Sequence, residues 1–273
     1  MENGTITYTQ LLREDLGIFR VTPDDGVPDF KAGQFLTLGL PLDGQIVNRA
    51  YSISSSPENK NFFEFVIRWV RKPLPGRLTS LLFNAKEGDK ISWAKPAGNL
   101  TINDTLPNGE KDTRRIVCIG GGTGLAPFVS FAQHLHDTND KREIVILHGA
   151  SYVDELSYKD LLTGLENESI DKGADKWNFK YRAAISRPQE WTNRAWHGHK
   201  GRIEQFLRYN DGGKSSLEEL VGEKITKDNT MFYVCGWQGT IDGVMDYLNA
   251  KNFVTEKNKR EDGSYEVKFE SYG

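Results

Sequence analysis

Cysteine is scarce in this chain: Cys118 and Cys235 are the only two. Two thiols cannot build a disulfide framework, a four-thiolate zinc site or an iron–sulfur cluster, so no metal is expected and any redox chemistry must use an organic cofactor. Long apolar runs are missing as well, since nothing approaches the ~20 residues that a bilayer-crossing helix needs. The opening stretch MENGTITYTQLLREDLG is acidic and polar. It has neither the basic-then-apolar layout of a secretory signal nor the Arg/Ser-rich, acid-poor look of a transit peptide. We therefore expect no membrane span and a cytoplasmic location. Charge of one sign is also lacking: a net charge of -3, with lysines and arginines scattered along the chain, leaves no field for nucleic acid.

What is present suffices for two cores, because 273 residues exceed the usual domain of ~100–150. The first hundred residues read as short β segments, ITYTQLL, GIFRVT, QFLTLGL, AYSISS, FFEFVIRWV and DKISWA, broken at Gly17, Asp24-Asp25-Gly26, Asp43-Gly44 and Glu87-Gly88-Asp89. Strands at that spacing predict a small antiparallel barrel or sandwich. One helix interrupts them after Pro75-Gly76, where Leu78, Leu81 and Leu82 share a face. The polar stretch NDTLPNGEKDTR marks a boundary, giving domains 1–108 and 109–273. Beyond it strands alternate with helices: RIVCIG before GGTGLAPFVSFAQHLH, EIVILHGAS before DELSYKDLLTGL, then WNFKYRAAIS, then MFYVCG before GTIDGVMDYLNA. That order predicts an α/β domain with a doubly wound parallel sheet.

The strongest motif is Gly120-Gly121-Gly122-Thr123-Gly124-Leu125-Ala126-Pro127, between an apolar strand and an apolar-periodic helix. Glycines at such a turn let a dinucleotide backbone approach closely, and the helix N-terminus favours its pyrophosphate. Pro127 stands where a plain G-x-G-x-x-G has its third glycine, which disfavours an ordinary Rossmann dehydrogenase. A second motif, Arg49-Ala50-Tyr51-Ser52, puts an arginine and a tyrosine on one face of a strand and the serine on the other. A guanidinium there can hold a diphosphate bidentately; taken alone, the segment is equally an amphipathic strand.

Together these residues resemble the ferredoxin–NADP reductase family, in which R-x-Y-S binds FAD and G-T-G-x-A-P opens the NADP domain. The motifs come in the family's order over nearly the whole chain. The likeness is strongest to the bacterial ferredoxin/flavodoxin branch, through RAYSISSSPENKNFFEFVI, GRLTSLL, EGDKISWAKPAGNLT and GGGTGLAPFVSF. The resemblance implies that Arg49 contacts the FAD pyrophosphate with Ala50 beside it, that Tyr51 packs on the isoalloxazine, and that Ser52 hydrogen-bonds near flavin N5. It implies that Phe65, Val66, Ile67 and Arg68 form the strand whose backbone lines the adenosine and ribityl parts, and that Arg77, Leu78 and Thr79 present amides and a hydroxyl to the pyrophosphate. Gly122 and Thr123 fall at the nicotinamide pocket, although threonine is also a good helix cap. Ala150-Ser151 match the loop beside the NADP cofactor. Ser186-Arg187 after the strand KYRAAI suit a ribose 2′-phosphate, where an NADH site would carry an acidic residue, and Arg202 matches a second phosphate-binding arginine. Cys235-Gly236 match the pair that brings a thiol against the nicotinamide; a buried cysteine is otherwise a small apolar residue. The following Trp237-Gln238-Gly239 departs from the family's proline-containing loop. Glu270-Ser271-Tyr272-Gly273 resembles the Glu-x-Tyr ending of plant-type relatives, with Tyr272 stacked over the flavin, and a frayed terminus accounts for it equally.

The activity expected from the resemblance is FAD-dependent electron transfer between NADPH and a one-electron carrier, by hydride transfer at flavin N5, with Tyr51, Ser52, Cys235 and Glu270 at the reacting rings. The cofactors implied are FAD and NADPH/NADP+, and the partner is a separate ferredoxin or flavodoxin. Arg13, Arg20, Lys31, Arg71, Lys72 and Lys95 could offer it docking charge, or could be ordinary solvated surface. A flavin, ferric-siderophore or cytochrome b5-type reductase is the alternative, and a non-catalytic module that keeps the fold is a third. The oligomeric state is left open, with a monomer favoured.

Overall fold

Apolar alternation fixes the first sheet. In the computed structural model, which describes residues 2–71 and 73–272, six antiparallel strands form: β1 (Glu2–Arg13), β2 (Leu16–Pro23), β3 (Phe35–Leu42), β4 (Gln45–Ser52), β5 (Phe63–Arg68) and β6 (Lys90–Trp93). Met1, Lys72, Gly273 and the Glu2 side chain lie outside the described residues, so Lys72's docking role and the place of Gly273 go with them. The strand order is β4-β3-β6-β1-β2-β5. Residues two apart point to one face, and Phe19 with Val21, Leu36 with Leu38, and Phe63 with Phe65 and Ile67 all turn inward against Ile6 and Trp93. Fully burying each such side chain stabilises by ~1.5–3 kcal/mol. The two edge strands close on each other just past β4, where the Ser54 amide donates to the Glu64 carbonyl at 2.8 Å. The sheet is thus a barrel. Asp43 and Gly44, at φ 52° and 77°, make the two-residue hairpin turn that sets the β3–β4 register, Leu42 opposite Gln45.

Two helices complete this unit. α1 (Arg77–Asn84) buries Leu78 and Leu82 in the barrel and packs on β3 and β4. α2 (Ala126–Asp137) follows the glycine turn in sequence, yet it groups with the barrel: the compact units are Met1–Ile102 with Ala126–Thr138, and Asn103–Leu125 with Asn139–Gly273. Hydrogen bonds from Ser130 to the Ser55 carbonyl (2.7 Å) and from Gln133 to the Ser54 carbonyl (2.9 Å) hold α2 there.

The second unit is a parallel sheet of β7 (Arg115–Gly121), β8 (Ile144–Ala150), β9 (Phe179–Ile185), β10 (His199–Lys200), β11 (Thr230–Gly236) and β12 (Val267–Ser271), in the order β10-β9-β8-β7-β11-β12. β7, β8 and β11 are almost wholly buried, as strands covered on both faces must be. α3 (Lys159–Lys172), α4 (Ser216–Val221) and α5 (Gln238–Ala250) lie between strands in sequence. From β7 the chain steps outward through β8, β9 and β10, then returns to set β11 on the other flank of β7. Such a reversal is where open α/β sheets bind ligands, beyond the carboxyl ends of the strands. Among the described residues no helix is long and apolar enough to cross a membrane.

Candidate functional site

In the barrel, Arg49 is exposed while Tyr51 and Ser52 are half-buried on edge strand β4. The Tyr51 hydroxyl is buried without a hydrogen-bond partner, and burial pushes its ionisation well above the usual phenol range against the opposing influence of Arg49. It stays a neutral donor in need of an acceptor. Beside β4, α1 begins at Gly76, which supplies no side-chain cap. The amides of Arg77, Leu78 and Thr79 are therefore first-turn donors with no helical partner, the arrangement that attracts a phosphate. The Thr79 hydroxyl donates instead to the Gly76 carbonyl at 3.0 Å and would have to rotate to meet an anion. On β5, Phe65, Val66 and Ile67 are buried in the core, which leaves only backbone for a ligand. The Arg68 guanidinium donates to Asp15 at 2.9 Å.

In the second unit, four strand ends share one edge of the sheet. β7 ends at Gly120-Gly121 and turns through a 3-10 segment, Gly122–Leu125; β8 ends at Ala150, β9 at Ile185 ahead of Ser186, and β11 at Cys235-Gly236. Glycine at 124 is required by close approach, because a Cβ there would lie 2.2 Å from the Cys235 carbonyl oxygen and 2.7 Å from the Tyr272 hydroxyl. Cys235 has no exposed surface. Burial, with Glu270 next, pushes its thiol well above the usual range, which keeps it protonated. β12 pairs with β11 so that Glu270 faces Cys235 in register, and burial raises the Glu270 carboxyl above its ordinary value. Two residues on, the Tyr272 hydroxyl is buried among Thr123, Gly124 and Cys235.

At the β9 end, Ser186 and Arg187 are exposed. Arg187 donates to the Tyr152 hydroxyl at 2.7 Å and lies over that ring, 5.3 Å from its centre. Arg202 is committed to its surroundings: it pairs with Glu204 at 2.6 Å and donates to the Gly239 carbonyl at 3.2 Å. Its guanidinium donors are thus shared between a carboxylate and a carbonyl.

Residues 4–102 match the family model for an oxidoreductase FAD-binding domain, and residues 118–246 that for an oxidoreductase NAD-binding domain. A ferredoxin–NADP reductase of Azotobacter vinelandii is 30% identical over 238 residues, spanning 86% of this chain and 84% of that protein. The chain belongs to the ferredoxin–NADP reductase family. A second such reductase, from Pseudomonas aeruginosa, is 37% identical over 146 residues, 53% of each protein. In fold, the chain is similar to the crystal structure of a ferredoxin NADP+ reductase from Neisseria gonorrhoeae with bound FAD and NADP, at TM-score 0.77 and 22% identity over 98% of this chain and 97% of that one. The protein is thus an oxidoreductase with an FAD-binding and an NAD(P)-binding domain.

The residues of this reductase fit both dinucleotides. The unpartnered Tyr51 hydroxyl and the open first turn of α1 suit a flavin and its pyrophosphate, and the turn at Gly122, where a Cβ would meet nothing within 4 Å, leaves room for a nicotinamide nucleotide at the sheet's switch point. Of the expected docking charges, Arg13 pairs with Asp15, Arg71 stacks on Trp69, and Arg20 pairs with Glu64 between the rings of Tyr8 and Phe62. Lys31 and Lys95 are exposed. Tyr152 and Glu155 join the site beside Ala150-Ser151 without a motif of their own: Glu155 accepts the Ser151 and Tyr152 amides. Asn193 and the buried His148 carry no local pattern at all.

Proposed function

We propose that this reductase passes electrons between NADPH and a separate one-electron carrier protein, a ferredoxin or flavodoxin, with residues 1–108 holding FAD and 109–273 holding NADPH. The single observation that carries the coenzyme choice is the β9 end, where an exposed guanidinium and hydroxyl, Arg187 and Ser186, stand in the place of an acidic residue. The carrier assignment draws support from relatives called ferredoxin–NADP reductase that align over most of their length. FAD held by residues 1–108 would supply a hydride acceptor for NADPH and one-electron release to the carrier. Arg49 and the first-turn amides of α1 bind its pyrophosphate, Tyr51 packs on the ring and donates its unpartnered hydroxyl, and Ser52 donates near N5. Thr123, Ala150 and Ser151 seat the nicotinamide nucleotide, and Gly122, with open space where a Cβ would stand, lets it approach the strand ends. Cys235, held neutral, shapes an apolar wall that excludes water. Tyr272 covers that wall and must give way before a ring reaches the thiol.

Anaerobic reduction of the flavin-loaded chain by NADPH, followed in stopped flow and then by addition of ferredoxin, flavodoxin, free flavin or a ferric chelate, tests the assignment. Fast reoxidation by one of the carrier proteins is the expected result. Turnover confined to free flavin or ferric chelates would replace it with a small-molecule reductase, and a chain that binds no flavin would leave a non-catalytic module.

A further inference from the structure

A single buried side chain ties together the loops on which the NADPH reading depends. Asn193 closes a short 3-10 segment, Trp191–Asn193, and is 2% exposed. Its Nδ2 donates to the Ser151 carbonyl at 2.9 Å and to the Arg187 carbonyl at 2.8 Å, and its Oδ1 accepts the Val153 amide at 2.9 Å. Both of its protons are used, on partners 42 and 6 residues away in sequence.

These bonds form part of a closed circuit. From Asn193 it runs to Ser151, along the backbone to Tyr152, from the Tyr152 hydroxyl to the Arg187 guanidinium at 2.7 Å, and from the Arg187 carbonyl back to Asn193. The Glu155 carboxylate reinforces one side by accepting the Ser151 and Tyr152 amides at 3.1 and 3.3 Å. A long exposed arginine normally gives up rotamer freedom when it grips a phosphate. Here its backbone is fixed by the buried amide and its head is steadied by the tyrosine, so part of that loss is met before the ligand arrives.

We propose that Asn193 is a positioning residue for coenzyme selectivity: it holds the Arg187 loop against the Ser151–Tyr152 loop so that the guanidinium is presented to a ribose 2′-phosphate. The inference rests on the reading of Arg187 given above. A purely structural asparagine would, when removed, weaken every adenine nucleotide alike. A positioning one weakens the ligand bearing the 2′-phosphate.

The test uses the full flavin-loaded chain and two probes, adenosine 2′,5′-bisphosphate and 5′-AMP, titrated calorimetrically. Asn193→Ala removes all three bonds, and Asn193→Asp keeps the acceptor and the volume but loses both donors. Tyr152→Phe opens the circuit at an outer, partly exposed position and so stays informative if the Asn193 variants fold poorly. Each should raise the Kd of the bisphosphate about fivefold or more, the worth of one or two hydrogen bonds, with little change for 5′-AMP. The KM ratio of NADPH to NADH should shift in the same sense, with kcat preserved. Equal weakening of both probes, or no weakening of either, overturns the proposal. Arg187→Ala serves as the reference: if it is selective and the Asn193 and Tyr152 variants are not, the positioning role alone fails, and if it is itself unselective the NADPH reading fails and takes the inference with it.

Discussion

Mild acid should destabilise the NAD(P)-binding unit through one imidazole. His148 lies on β8 with no exposed surface, opposite Gly120 in the sheet register. Its Nδ1 is 3.2 Å from the Tyr181 hydroxyl and its Nε2 is buried without a partner. Burial lowers its pKa from 6.5 to about 4, and the nearby Gly122 backbone offsets only part of that. A histidine depressed in the folded state binds its proton more tightly in the unfolded chain. Its contribution is therefore intact above the unfolded pKa and drains away as the pH falls toward the folded one. The gap between the two values corresponds to ~3 kcal/mol in total, of which about 2 kcal/mol is gone by about pH 5. The assay is equilibrium urea unfolding of the flavin-loaded chain at about pH 7.5 and about pH 5, by far-UV circular dichroism, for the parent and His148→Gln. Glutamine can hydrogen-bond like the neutral ring but cannot take up a proton. The parent should lose about 2 kcal/mol more than the variant between the two conditions. Identical losses would refute the reasoning, since every other titrating group is common to both proteins.

Other outcomes follow from the same geometry. Arg187→Ala should raise the KM for NADPH about tenfold or more while leaving NADH nearly unaffected, and equal effects on both coenzymes would remove the basis for the NADPH preference. Gly124→Ala must push the turn off β11, because the new Cβ would meet the Cys235 carbonyl at 2.2 Å; NADPH affinity should fall about tenfold with flavin content unchanged, and normal affinity would show that the turn does not bind the coenzyme. Tyr272→Ala should uncover Cys235, which has no exposed surface in the parent. A disulfide reagent should then modify the thiol measurably faster, and an unchanged rate would mean that Tyr272 is not its cover.

How far the sequence discloses this site depends on how far apart in the chain the cooperating groups lie. The barrel strands and the glycine turn were legible because covalent spacing alone sets their periodicity, and an Asp-Gly pair fixes a hairpin without help from elsewhere. β12 was not, because Val267–Ser271 becomes a strand only by pairing with β11, and nothing local marks the segment apart from the polar stretch before it. AYSISS was expected as one strand, yet β4 begins at Gln45 and ends at Ser52; beyond it the Ser54 amide still bridges to Glu64 while the Ser54 and Ser55 carbonyls turn to accept bonds from α2. The same distinction runs through the site. Motif matching picks out side-chain types but not their engagements, so Arg187 and Arg202 look alike in sequence. In the structure Arg202 pairs with a carboxylate while Arg187 leans on a neutral phenol. An arginine beside a phenol has no carboxylate to release before it meets an incoming anion, whereas one paired with a carboxylate must share its donors, a modest cost at an exposed site. We therefore expect Arg187→Ala to cost more NADPH affinity than Arg202→Ala, a ranking that the motif alone could not supply.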